Sequence, residues 1–300
     1  MPPTTAKPPF RRLARHISIV ENEIPGYEQL LENLHFARHT PIIGITGPPG
    51  AGKSTLVNAI IKQLSQDNNT SLAIIAVDPT SPFNYGALLG DRIRWAAHYN
   101  NPNIYIRSLA SRGSLGGLSD KIIEISDVVR AFGFDYILVE TVGVGQSEVE
   151  IAGLADTTVV ALVPEAGDEI QTMKAGLMEI ADIFVVNKAD RPHADDLASH
   201  LRKMLHDRPA ADWNVPVIKT IAHQEQGIAE LLAKIDAHHQ IARNPNRKSY
   251  LLAQKAWQLI QKKRMNDLDR NTLHQAIDQQ LRIHGDFNLY TFVRQYATRP

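Results

Sequence analysis

Three hundred residues, 43% of them apolar and 21% charged, suffice for one large α/β domain with appendages or for two small domains. The 32 basic residues balance 32 acidic ones, which removes any general electrostatic case for nucleic acid or a membrane as partner, and no apolar run approaches the ~18 residues of a membrane helix. The absence of cysteine excludes disulfides and thiolate metal ligands and leads us to expect a cytoplasmic protein.

Residues 1–39 read as an N-terminal helical extension with a turn at "IPGY". The first twenty residues carry Arg11, Arg12 and Arg15 and no acid, but two Pro pairs would interrupt an amphipathic targeting helix, so this stretch reads as a basic lead-in. From residue 41 short β-branched runs alternate with helical patterns. The strands are "PIIGITG", "SLAIIAVD", "NIYIRSL", "DYILVET", "TTVVALV", "DIFVVNK" and "VPVIKT", with helices over 54–66, 117–132, 168–181 and 193–206. Continuous Ile/Val/Leu runs belong to strands buried on both faces, so the fold class is α/β, with a mostly parallel sheet and helices on both faces. The expected domains are 1–39, a sheet domain over 40–240, and a helical arm over 241–300 with turns near Asn266 and Gly285.

"GPPGAGKST" fits G-x-x-x-x-G-K-[ST] between a strand and a helix, so the α/β fold is expected to be a P-loop NTPase and residues 40–240 its nucleotide-binding domain. Gly47, Gly50, Ala51 and Gly52 let backbone amides surround a β-phosphate. Lys53 reaches the β/γ oxygens, Ser54 offers a hydroxyl to Mg²⁺, and Thr55 follows in the first helical turn. "FVVNKAD" then supplies Asn187, Lys188 and Asp190 at a strand end. A carboxylate at Asp190 accepts the N1–H and 2-amino group of guanine; adenine has neither donor and would leave it desolvated, so GTP is expected over ATP. In "KTIAHQEQGI" the backbone amide of Ala222 is placed to touch guanine O6.

Acidic groups complete the metal chemistry. Glu140 ends "DYILVE", Asp78 ends "SLAIIAVD", and Asp91 follows a Gly/Pro-punctuated loop, where N-capping of "RIRWAAHY" is its competing role. With Ser54 they make a plausible Mg²⁺ set. Gly143 is placed so that its amide senses a γ-phosphate. Val144 then stands where a Ras-type enzyme has its water-orienting Gln, and Gln146 comes two residues later, so slow intrinsic hydrolysis is expected. His238-His239, on one helix, read as core or solvated histidines rather than a metal site. Trp95, Trp213 and Trp257 read as packing residues. The loop "RSLASRGSLGGLS", with Arg107 and Arg112, reads as either an anion-binding or partner-facing loop or a plain connection.

The runs "VDPTSPFNYGALLGDRIRW", "IYIRSLASRGSLGGLS", "ILVETVGVGQSE" and "EAGDEIQTMKAGLMEIADIFVVNKAD" resemble the MeaB/ArgK family of GTPases that accompany adenosylcobalamin-dependent acyl-CoA mutases. The similarity spans about residues 40–235. It implies Mg²⁺ with GTP or GDP held by the phosphate loop, Ser54, Asp78, Asp91 and Glu140. It also implies a third switch in "VPEAGDEIQTMK" whose Lys174 relays the nucleotide state, a dimerisation arm at about 240–300, a mutase as partner, and no cobalamin held tightly by this chain. Two rival readings are a GTPase for metallocofactor insertion, which should show Cys/His clusters, and a kinase or transport-associated ATPase, which Asp190 argues against. A third is a structural dimer that uses nucleotide only for stability.

Overall fold

The computed structural model describes residues 10–78, 95–110, 121–141, 147–166, 175–206, 213–242, 245–265, 268, 270–284 and 288–297. Two compact units emerge, Met1–Leu251 and Leu252–Pro300.

The first unit is built on seven strands: β1 (Ile42–Thr46), β2 (Leu72–Asp78), β3 (Ile104–Ala110), β4 (Tyr136–Glu140), β5 (Thr157–Leu162), β6 (Ile183–Val186) and β7 (Val217–Lys219). Every pairing among them is parallel, in the order β3-β2-β4-β1-β5-β6-β7. Successive residues serve opposite faces: Ile43 and Ile45 pack with Leu56 and Ile60 of α3 (Lys53–Leu64), while Ile42 packs with Leu13 and Ile17 of α1 (Phe10–Glu21). Both faces being covered, the strands cannot alternate with polar residues, and the unbroken apolar runs follow.

On one face, α3 lies beside α8 (Ile228–Ala242). The other face carries α1, the short α2 (Tyr27–Glu32), α4 (Ile122–Ala131), α5 (Ser147–Leu154), α6 (Ala175–Ile180) and α7 (Ala194–His206). Leu13, Ile17 and Val20 form the buried stripe of α1, each 0% exposed and each contributing about 2 kcal/mol of burial. Residues 10–34 of the N-terminal extension are thus packed into the first unit. Its end is fastened by ion pairs from Glu21 to Arg107 and from Glu23 to Lys121, whose Nζ also lies 4.8 Å from the Tyr27 ring centre.

Aspartates standing just ahead of three strands each close the start of a neighbouring strand. Asp135 accepts from the Ser71 amide at 2.8 Å, Asp156 from the Ile42 amide at 2.8 Å, and Asp182 from the Thr158 amide at 2.8 Å.

Most sequence-derived elements are present, with three differences. The described part of "RIRWAAHY" is a 3₁₀ turn at Ala96–His98. Helix α5, not anticipated, follows the Glu140 strand. Trp257 is 63% exposed rather than packed, whereas Trp95 is 1% exposed and Trp213 donates its indole N–H to the Asp182 carbonyl at 2.7 Å. His238 and His239 are core residues, at 0% and 8% exposure.

The second unit contains most of α9 (Pro245–Arg264), α10 (Arg270–His284) and α11 (Leu289–Ala297). Proline at the first position of α9 suits a helix start, where no amide hydrogen bond is lost. Among the described residues no helix is long and apolar enough to cross a membrane.

Candidate functional site

The loop between β1 and α3 can be formed only with glycine at two points. A Cβ on Gly47, at φ 140°, would sit 2.1 Å from the Ala161 carbonyl, and one on Gly52, at φ 81°, would sit 2.4 Å from Asn187 Nδ2. Gly52 also occupies the N-cap of α3 and offers no side-chain oxygen, so an anion in the loop becomes the natural partner of the first-turn amides. Ala51 is fully buried, while Thr55 faces outward.

Lys53 is 6% exposed, and its ammonium donates to the carbonyls of Gly47 at 2.8 Å and Pro48 at 3.1 Å. Those two carbonyls hold the cation at the loop, where phosphate charge would lie. Ser54 Oγ donates to Glu140 Oε1 at 2.5 Å. The parallel register brings them together, because Glu140 stands opposite Ile45 of β1 and Ala76 of β2. A buried hydroxyl pair, Thr141 to Thr46 at 3.0 Å, closes the ends of β4 and β1 beside them.

The Asn187–Asp190 segment, expected to read the base, is fastened directly to this loop. Asn187, 2% exposed, donates to the Ala51 carbonyl at 2.9 Å and accepts from Thr220 Oγ1 at 3.0 Å. Lys188, in the left-handed region at φ 54°, reaches the Gly50 carbonyl at 2.8 Å. Asp190 is exposed beyond it. The Ala222 amide, expected to face guanine O6, donates to Asn187 Oδ1 at 3.3 Å. Arg191 pairs with Glu165 across the loop, and that hydrogen bond holds the Glu165 carboxyl below its usual range.

One end of the sheet therefore assembles Gly47, Gly50, Ala51, Gly52, Lys53, Ser54, Glu140, Asn187 and Lys188. Asp78 ends β2 in register with Ala110, and its carboxylate lies outside the described atoms. Asp91, Arg112, Gly143, Val144, Gln146 and Lys174 lie outside the described residues. Sequence reasoning missed Thr46, Thr141, Thr220 and the Arg191–Glu165 pair. The only available signal was a hydroxyl or charge at the end of an apolar run.

Among the described residues no three His, Asp or Glu converge as metal ligands. The adjacent Ser54 hydroxyl and Glu140 carboxylate are hard oxygens beside the phosphate loop, a donor set that fits Mg²⁺ better than a soft metal.

A glycine-turned loop opening a helix, an ordered lysine, a Ser–Glu oxygen pair and an Asn-Lys-x-Asp turn docked on the loop define a P-loop GTPase. The sequence matches the family model described as methylmalonyl Co-A mutase-associated GTPase MeaB over residues 13–276, and the chain belongs to that family. It is 46% identical over 242 residues to a Pyrococcus abyssi protein named as a GTPase, covering 79% of this chain and 74% of that one. It is 34% identical over 252 residues to the mouse mitochondrial methylmalonic aciduria type A homolog, covering 80% of this chain and 59% of the mouse protein. A solved structure described as a LAO/AO transport system kinase is 26% identical, with a TM-score of 0.67 over 97% of this chain and 93% of that one. The activity of this chain is GTP hydrolysis to GDP and phosphate.

Proposed function

We propose that this GTPase is a chaperone of an adenosylcobalamin-dependent acyl-CoA mutase, methylmalonyl-CoA mutase or a near relative, gating cofactor loading and protecting or reactivating the mutase. The observation that carries this reading is the match to a mutase-associated GTPase family across residues 13–276. Asp190 selects guanine through its two donors, and the loop amides, the α3 terminus and Lys53 hold the phosphates. Ser54, Glu140, Asp78 and Asp91 would hold Mg²⁺, which when bound neutralises charge on the β- and γ-phosphate oxygens.

With Val144 in the place of a water-orienting Gln, hydrolysis is slow until a partner orders the switch loops around Asp78, Asp91 and Lys174. The nucleotide then acts as a timer. The γ-phosphate favours one arrangement of those loops, and Lys174 passes that arrangement to the mutase. In the same reading the helices after about residue 240 join two copies of the chain, this chain holds no cobalamin tightly, and it works in the cytoplasm.

The test compares GTPase rates of the full chain alone and with purified mutase, alongside pull-downs in GTP and GDP. A mutase that binds and raises turnover by about tenfold supports the proposal, since coupling of that size is ordinary. A fast rate indifferent to the mutase, with no binding in either nucleotide, overturns it. Likeness to the LAO/AO transport system kinase favours a second reading, a transport-associated kinase, which a preference for ATP would support.

A further inference from the structure

A groove of about 450 Å³ lies at the end of the sheet opposite the nucleotide loop, walled by α1, by α2 and the residues after it, and by the end of α4. Its floor is apolar: Leu30, Leu34 and Phe132 also pack against the core beneath. Its rim is basic. The Arg12 guanidinium lies 5.3 Å from the Phe132 ring centre, and the His16 ring meets Phe132 edge-on with centroids 5.6 Å apart. His35, Gln29 and Asn33 complete the wall, and among the described residues no carboxylate lines it.

Burial, with Arg12 and Arg15 close by, holds the His16 pKa below its usual value. The groove therefore presents one firmly charged guanidinium, ring nitrogens and amides over an alkyl-sized floor. An aromatic-backed guanidinium keeps its planar N–H fork ordered and suits a carboxylate. A single fixed charge matches a monoanion better than a phosphate dianion.

We propose that this groove is a second binding site, separate from the nucleotide site, for a short-chain monocarboxylate: the carboxylate on Arg12 and His35, the alkyl stem on Leu30, Leu34 and Phe132. The binding event is independent of GTP chemistry and of any mutase.

The test follows the histidine ring resonances of the full chain by NMR, assigned with His16→Gln and His35→Gln. Sodium butanoate should shift both rings saturably with a Kd on the order of 1 mM, as expected for so small a ligand. It should also raise the His16 titration midpoint, because a bound anion offsets the two neighbouring arginines. Arg12→Gln, an exposed change that leaves the core intact, should weaken binding at least about tenfold, and Leu30→Gln should do so through the stem. Butan-1-ol should leave His35 unmoved. No saturable shift with butanoate, equal affinity for inorganic phosphate, or an unchanged Kd in Arg12→Gln would each overturn the proposal.

Discussion

The two ends of the parallel sheet use carboxylates in opposite ways. At the amino ends of the strands, Asp135, Asp156 and Asp182 each accept the amide of a neighbouring strand, and each is also engaged by a side chain: Ser71 and Arg38, Arg130, and His238 respectively. Thr157 completes that last cluster by meeting His238 Nδ1 at 2.8 Å. At the carboxyl ends, Glu140 meets a hydroxyl next to a loop built to receive phosphate, and Asp190 stands exposed. Acids at one end thus fasten the strands to one another, whereas at the other end one meets the serine of the phosphate loop and one stands exposed. Residue type does not distinguish the two roles; the end of the strand does.

That contrast can be broken most sharply at Lys53. Lys53→Ala should lower GTP turnover by about 10²–10³-fold, the size of losing one preorganised charge at the phosphates. The melting temperature should hardly move. A large loss of stability with turnover per folded molecule preserved would assign Lys53 to the fold instead.

Asp190→Asn should weaken GTP binding by about 100-fold, the loss of two hydrogen bonds to a charged acceptor, while leaving the fold intact. Isothermal titration with GTP and ATP measures it, and an unchanged preference for GTP would remove Asp190 from base recognition.

At the opposite end the signs reverse. Asp156→Ala strips the Ile42 amide of its acceptor and Arg130 of its carboxylate, leaving Arg130 the Thr40 carbonyl, with side chains only 18% and 14% exposed for Asp156 and Arg130. Stability should fall by about 2 kcal/mol, or about 5 °C in melting temperature, with the Kd for GTP unchanged. Altered nucleotide affinity without destabilisation would show that the two ends are not separate.

The smallest effect concerns Asp135. Burial pushes its carboxyl up, but hydrogen bonds from Ser71 and the Arg38 guanidinium outweigh this and leave it below 3.8. A carboxyl depressed in the folded state stabilises above its unfolded pKa, and that contribution is lost as pH falls through the folded value. Asp135→Asn should therefore flatten the loss of stability below about pH 3.8 and bring little change in its slope at pH 7, which denaturant titrations across pH would reveal.

Much of this was legible in the residues. "PIIGIT" and "DYILVE" announce doubly buried strands because polar side chains have no place on either face. "GPPGAGKST" announces its loop because two of its glycines stand where a Cβ would collide. The expectation that Ser54 and Glu140 share one oxygen set is legible in the motifs, whereas their hydrogen bond comes from the parallel register that sets Glu140 opposite Ile45. The Asp156 and Asp182 anchors were not legible: "LADTTV" and "IADIFV" look like ordinary turns until the strand order makes Ile42 and Thr158 their neighbours. Helix α5 was missed for a related reason, since its sequence "SEVEIAGL" has no apolar stripe and takes its place from packing against β1.

By itself the sequence determined the local pattern: a glycine-rich loop opening a helix, an Asn-Lys-x-Asp turn, and strands buried on both sides. These depend on backbone freedom, hydrogen-bonding capacity and periodicity, which neighbouring residues carry. Only the tertiary structure decided which acids anchor the sheet, that Asn187 and Lys188 brace the phosphate loop through the Ala51 and Gly50 carbonyls, and that Arg12, His16 and Phe132 share a groove. Such contacts join segments far apart along the chain, and the order in which strands lie side by side is set by the burial of the whole sheet.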